Sequence, residues 1–594
     1  MHIIENYNTQ AKRVYCYVGE CIWDKQLKKY NNRRCIVGHL ESEPPRFIPN
    51  KKLAALLLTD MEDGLKTEKH DKDIINTVCT KYGNSTELIG RMPVMTSVQT
   101  AKAVFYGPSI VFGGITKRYH LNTILKKAFS EYDAQEILSL AWYLACEGDA
   151  LINSDVWLGH FENPAGHSIS SQDITKLLDR MGQDSIMSFY KYWLEGFRKT
   201  GDRVLYDLTS ISWYGRGIDM TGWGYNRDKE NLPQVNFALL CVRSTAMPLF
   251  AWPLDGSISD VKTLENTLDI MAKLNFKPDC LMMDRGFASK DNITFMLKRG
   301  YTFLQALRVN ADWIRDIIDT GRQSRFRPDS MLKAGERTYY VNTARCLWVR
   351  LNKIKTSKKE TNVVEEILVY QCKDSKGDTY TAKEGEEILA QYPCDVHILF
   401  CQDLVGNQWD TFMEQLNKEY ERLLADSNAD PPSELKKYFT IVKKNGQVTR
   451  SVDFNMEIII KHRDNYAGHI CFITNDKSIS TAATALNEYS TRDYIEKDFD
   501  EMKNDLDMRR IRVHTDDRLK ARLLIQFISE IYLREIRVLL RGSDVCSKMT
   551  RKQIASHIKG IYKIKFKHKY MDVYPELSKS QRAILEALGL SGST

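Results

Sequence analysis

Several absences bound this chain before any motif does. No run of roughly 18 or more apolar residues occurs, so the sequence predicts no membrane-spanning helix. The opening MHIIENYNTQAKR has no apolar signal-peptide core, which predicts a cytoplasmic protein. The 13 cysteines are scattered singly from Cys16 to Cys546, with no CxxC pair and no Cys/His cluster at zinc spacing. Their odd number also argues against a disulfide framework, leaving reduced and mostly buried thiols. Repeats and low-complexity tracts are missing. So is a strong excess of one charge, the net being only +8 over 594 residues.

What is present is the composition of packed domains: 43% hydrophobic and 27% charged residues, in a length that suits about four units of ordinary size. The distribution of charge says more than its sum. From Asp507 to Tyr570, 17 Lys/Arg stand against 6 Asp/Glu. Within that stretch YKIKFKHKY puts Lys563, Lys565, Lys567 and Lys569 at period two. As a strand, it carries all four on one face, either as a phosphate-binding surface or as an edge protected against aggregation.

Texture divides the chain. Residues 1–48 form a small β unit, because 12–40 alternate apolar and polar around a polar YNNRR turn, and the joint SEPPRFIPNKK follows. Residues 49–200 are mainly helical, with Ser170 or Ser171 as an N-cap; this unit either binds duplex DNA or serves as a packing scaffold. Residues 201–309 read strand, strand, strand, helix, strand, helix, strand, which makes a mixed sheet with helices against it. Residues 310–476 are strand-rich and irregular and read as an inserted domain. Helical texture returns over 477–545, and 546–594 form a basic C-terminal region.

Three acids stand out in that frame. Asp207 sits in a strand, flanked by Leu205 and Leu208, where an uncompensated carboxylate is costly to bury. Asp284 ends a second strand, and Glu496 lies in YSTRDYIEKDFDEMK, read as one helix. There Tyr489, Arg492, Glu496 and Lys503 fall within a sector of about 60°, beside an apolar stripe of Ile495, Phe499, Met502 and Leu506. An Arg492–Glu496 ion pair is commonplace in helices. Carboxylates from strand ends and a helix face, however, can converge on hard cations. Two such ions activate the attacking oxygen and stabilise the leaving one in phosphodiester chemistry.

These residues resemble a known family. The trio Asp207, Asp284 and Glu496, the spacing Y-(2)-R-(3)-E-(6)-K, and the local DLTS and MDRGF are similar to bacterial insertion-sequence DDE transposases of the Y-R-E-K signature group, over roughly Arg203–Phe527. The resemblance implies an α/β fold: an RNase H-like mixed sheet flanked by helices, in two parts (201–309 and 477–545), interrupted by a β-rich insertion domain. It implies that Asp207, Asp284 and Glu496 hold two Mg²⁺ or Mn²⁺ ions, and that Tyr489, Arg492 and Lys503 grip DNA near the transposon end. The implied reaction is nicking at the end, then attack of the freed 3′-OH, by a homodimer assembled on double-stranded terminal repeats and target DNA. Rival readings are a nuclease that does not join strands and a domesticated, non-catalytic DNA-binding protein.

One departure concerns a tryptophan that certain relatives keep before the catalytic helix to stack on a flipped base. The corresponding YAGHICFITND offers Tyr466, His469 and Phe472 instead, and the loop 213–225 offers either a stacking ring or packed turn aromatics. Arg285 and Arg308 either bind phosphate or form surface ion pairs. His514, Arg518, Lys520 and Arg522 either track DNA or line a solvated helix.

Overall fold

A computed structural model describes the chain except residues 12, 25–27, 42–44, 64–67, 91–100, 199–200, 225, 229, 310, 323–324, 357–361, 374–381, 385, 427, 433, 444–449, 566–571 and 591–594. The fold divides into two compact units. One comprises residues 1–111, 159–163 and 548–594, the other 112–158 and 164–547.

The first unit is built on an antiparallel sheet of β1 (His2–Asn8), β2 (Arg13–Asp24), β3 (Lys29–Glu41) and β4 (Arg46–Pro49), in that order. Cys16, Val18, Val37 and Phe47 bury one face against Leu53, Leu57, Ile74, Ile75, Val78 and Leu88 from three short helices. The YNNRR segment is not a turn, as its polarity suggested, but part of β3. A strand with solvent on both faces loses the apolar alternation that marks a half-buried one. In the same unit β5 (Lys102–Phe105) pairs with β18 (Tyr562–Lys565). There Lys563 is buried and bonded to Glu162 at 2.8 Å, which removes it from any exposed lysine row. Lys567 and Lys569 fall outside the described residues.

The second unit carries the large sheet. The part that carries Asp207 and Asp284 runs β8 (Pro248–Leu254), β7 (Gln234–Val242), β6 (Val204–Ser212), β9 (Leu281–Met283), β10 (Phe303–Leu307). β7 is antiparallel to its neighbours β8 and β6, while β9 lies parallel to both β6 and β10. All nine residues of β6 are buried, as befits a central strand covered on both faces. The edge strand β8 carries Pro248 and Pro253. Two of its carbonyls are covered by the helix Gln183–Glu195, with Tyr190 Oη donating to Ala251 O (2.8 Å) and Trp193 Nε1 to Pro248 O (3.1 Å). Prolines and a covering helix are two ways of closing a sheet edge.

The inserted strands extend this sheet. β11 (Met331–Ala334), β12 (Arg337–Thr356) and β14 (Glu386–Phe400) continue it through β17 (His469–Thr474), which pairs antiparallel with β10 on one side and β14 on the other. β13 (Asn362–Lys373) pairs β12 off the main path. Beside them, a cluster of Phe412, Leu416, Tyr438, Phe439 and Ile459 organises the helix Leu404–Ala425, the hairpin of β15 (Phe439–Lys443) and β16 (Arg450–Phe454), and the helix Met456–Tyr466. Among the described residues, no helix is long and apolar enough to cross a membrane.

Candidate active site

The strand register brings the first two acids together. Tyr206 of β6 lies beside Met283 of β9 in a parallel pair, so the residues that follow, Asp207 within β6 and Asp284 just past the end of β9, stand side by side. Glu496 comes from a helix, Asp493–Asp505, that follows Ala482–Ser490 after a break. The sequence predicted one continuous helix. The break has a local cause: Ser490 Oγ and Thr491 Oγ1 each donate to backbone carbonyls three residues back, Asn487 O and Glu488 O, both at 2.8 Å. Such back-bonding competes with the helical ladder and bends it. The apolar stripe behaves as read, with Ile495, Phe499, Met502 and Leu506 all buried. At the far end of this helix Gly148 (φ 67°) gives it room: a Cβ there would sit 2.4 Å from Asp505 O.

Arg492, at the break, joins all three acids. Its Nη2 lies 3.4 Å from Asp207 Oδ2, 3.4 Å from Asp284 Oδ2 and 2.7 Å from Glu496 Oε1. Tyr489 adds a 2.8 Å bond from its hydroxyl to Asp284 Oδ1, and its ring packs on Phe472 of β17 (4.9 Å). Gln305 of β10 donates to Asp284 O (3.2 Å), and the Leu208 N–H donates to Asp207 Oδ1 (2.8 Å). Burial pushes Asp207 up to about 6, with Arg492 and the Leu208 N–H pulling the other way and Asp284 adding to the rise.

Three carboxylates around one guanidinium leave an excess of negative charge. Among the described residues, no three carboxylate, imidazole or thiolate groups are arranged to hold one metal ion as they stand; these acids close on Arg492 instead. The donor set itself, oxygen only and drawn from a rigid sheet plus one helix, suits Mg²⁺ or Mn²⁺.

A family model described as the transposase DDE domain matches residues 198–529, more than half of the chain. The chain belongs to the DDE transposase family. It is therefore an enzyme of metal-dependent DNA cleavage and strand transfer. No curated protein matches the sequence. Among solved structures, a piggyBac transposase synaptic complex with hairpin DNA, determined by cryo-EM, aligns at 10% identity over 73% of this chain and 70% of that chain, with a TM-score of 0.32.

The other residues singled out in this transposase scatter in their surroundings. Lys503 is nearly buried and bonded by its ammonium to both oxygens of Asp228 (2.7 and 2.9 Å), in the loop after β6. Arg308 donates to Arg285 O (3.1 Å) and Gly286 O (3.3 Å), bracing the turn after Asp284, while Arg285 itself is exposed. His514 is exposed with its ring 5.7 Å from that of Trp213. Arg518 makes a two-pronged pair with Asp179 (2.5 and 2.8 Å), and Lys520 bonds Gln183 (2.7 Å). Arg522 is buried against Asp507 (2.6 Å) in a helix, Asp516–Leu540, that is core through most of its length rather than solvated.

The substitutes for a stacking tryptophan are closed off: Tyr466, His469 and Phe472 are all buried. In the loop 213–225, Trp213 is packed, whereas Tyr214 and Trp223 are 68% and 64% exposed, and Tyr225 lies outside the described residues. Sequence reasoning missed Asp228, Gln305 and Arg227, whose charge favours the ionised form of Asp207. An acid or amide in a loop or strand carries no periodic signal, so only the fold reveals its neighbour.

Proposed function

We propose that this DDE transposase is the enzyme of an insertion sequence and moves DNA by cut-and-paste, with Asp207, Asp284 and Glu496 as its catalytic, metal-binding carboxylates. The observation that carries the assignment is the meeting of these three acids on Arg492 Nη2, from two strands and a helix far apart along the chain. Bound among them, two Mg²⁺ or Mn²⁺ ions supply an activated attacking oxygen and a stabilised leaving oxygen.

The protein's own groups do the rest. The Leu208 N–H and Tyr489 Oη fix the orientations of Asp207 and Asp284. Arg492 holds the acids together without substrate, and its fork geometry suits transfer to a phosphate when DNA arrives. Lys503 serves as a point charge for the backbone once Asp228 releases it. Arg285, Arg308, His514 and Arg518 extend the DNA surface, and the working form is a homodimer on paired ends.

The test uses a plasmid carrying the DNA that flanks this gene. In Mg²⁺ the wild-type chain should nick at the repeat boundary and join a pre-cleaved 3′ end to target DNA. Asp284→Ala should do neither while binding the end with wild-type affinity. Nicking without joining would point to a nuclease; cleavage by the Asp284→Ala protein would remove that acid from the site.

A further inference from the structure

The inner parts of β2 and β3 are flanked by β1, which pairs Arg13–Gly19, and by β4, which pairs Gly38–Glu41. Beyond them the two strands continue alone, in register from Glu20 opposite Arg33 to Asp24 opposite Lys29. This free ribbon of five residue pairs is about 16 Å long at the usual strand rise. Lys28 to Arg34 reads KKYNNRR, four cations without an acid, and all seven residues from Lys29 to Cys35 except Cys35 are exposed.

Residues opposite each other in an antiparallel pair share a face. One face of the ribbon therefore carries Asn32 with Cys21 and Tyr30 with Trp23, and no carboxylate; Arg34 continues that face one pair inward, opposite Gly19 where β1 begins. Trp23 and Tyr30 are 48% and 66% exposed, their rings 4.8 Å apart edge to face. Glu20 belongs to the other face, where its carboxylate lies 3.8 Å from His70. Large exposed aromatics on one face with an amide and Arg34 are poor candidates for mere solvent cover.

We propose that this ribbon enters the major groove of duplex DNA and reads bases with Asn32 and Arg34. The inference rests on the reading that the chain acts on its own flanking repeats. A two-stranded ribbon fits the groove of about 12 Å. Asn pairs bidentately with adenine and Arg with guanine in that groove. Side chains two apart on a strand stand about 6.6 Å from each other, close to two base-pair steps of about 3.4 Å. Lys28, Lys29 and Arg33 then face phosphates, and Tyr30 with Trp23 packs against the groove wall.

Binding of the full chain is measured in EDTA, where cleavage does not intervene, with a duplex of the flanking DNA and a scrambled duplex of equal composition. An Asn32→Ala/Arg34→Ala protein should lose about ten-fold of the preference for the flanking duplex. It should also lose interference by guanine N7 methylation at one position. Lys29→Ala should weaken both duplexes alike, by a few-fold, and lower the salt dependence by about one ion. Unchanged preference and interference in the double variant would overturn the ribbon as reader, as would equal binding of flanking duplex and single strand by the wild type. Neither result touches Mg²⁺-dependent nicking. Conversely, ribbon-dependent binding without nicking would sink the catalytic reading and leave the ribbon standing. Since the altered side chains are exposed, an unchanged melting temperature accompanies each variant.

Discussion

Two arginines in the same unit, Arg315 buried and Arg492 half-buried, show how differently a guanidinium can be used. Arg315, 7% exposed on the helix Asp312–Thr320, donates to Tyr438 Oη (2.6 Å) and Val309 O (3.4 Å) and lies 3.2 Å from His462 Nδ1 and 4.8 Å from the centre of the Tyr466 ring. Those partners are neutral. Arg492 is met by three carboxylates. The first arrangement ties helices to a hairpin. The second is over-supplied with negative charge and rigidly held, a combination typical of sites that bind cations and transfer charge. The chemistry of the neighbours sets Arg492 apart from Arg315.

The comparison can be broken most sharply at the acids. Asp207→Ala, Asp284→Ala or Glu496→Ala should cut Mg²⁺-dependent nicking by roughly a thousand-fold or more, with melting temperature held; an effect on stability alone would make the trio structural. Arg315→Ala should instead cost about 3 kcal/mol of stability, seen as a lower melting temperature that Mg²⁺ does not restore.

The third test is acidification. Burial, helped by Arg315 and Lys437, pushes His462 down to about 4. A depressed imidazole stabilises the fold at pH values above its unfolded value of about 6.5. That contribution, on the order of 3 kcal/mol, is lost as pH falls from about 6.5 towards 4. His462→Gln should flatten the melting-temperature profile across that window. Arg492→Ala ranks next: it should lose about 1–2 kcal/mol in EDTA and regain it in millimolar Mg²⁺ through binding linkage. Equal Mg²⁺ responses in the variant and the wild type would mean that arginine and metal do not share the acids. The smallest effect belongs to Lys503. Asp228→Ala should tighten end binding a few-fold by freeing the ammonium and Lys503→Ala should weaken it, each by about 1 kcal/mol. Gel-shift titrations at two salt concentrations read both.

Much of this was legible in the sequence where the signal is local. The apolar runs of β6 to β10, the helices between them, the N-cap Ser170 and the stripe from Ile495 to Leu506 all fall where their patterns put them. The acids were readable because strand-end carboxylates and a spaced signature survive without knowledge of pairing. Three features were not. The pairing of β14 with β17 joins Phe400 to His469 and Asp395 to Thr474, far apart along the chain, and no local pattern encodes a register between them. The break at Ser490 and Thr491 depends on rotamers that make those hydroxyls bond backwards. Arg522 looks like a surface cation until Asp507 is found beside it in the core.

The hydrogen-bonded ladder running from β8 through β10 and β17 to β11 has a mechanical consequence. Strands cross-linked at every rung transmit twist but resist hinging, so the inserted strands act as a lever arm on the acids rather than as a loose flap. A protein clamped at β12 would turn β17, and with it the seat of Tyr489 on Phe472. In amide exchange β14 and β17 should then open together with β10, as one cooperative block.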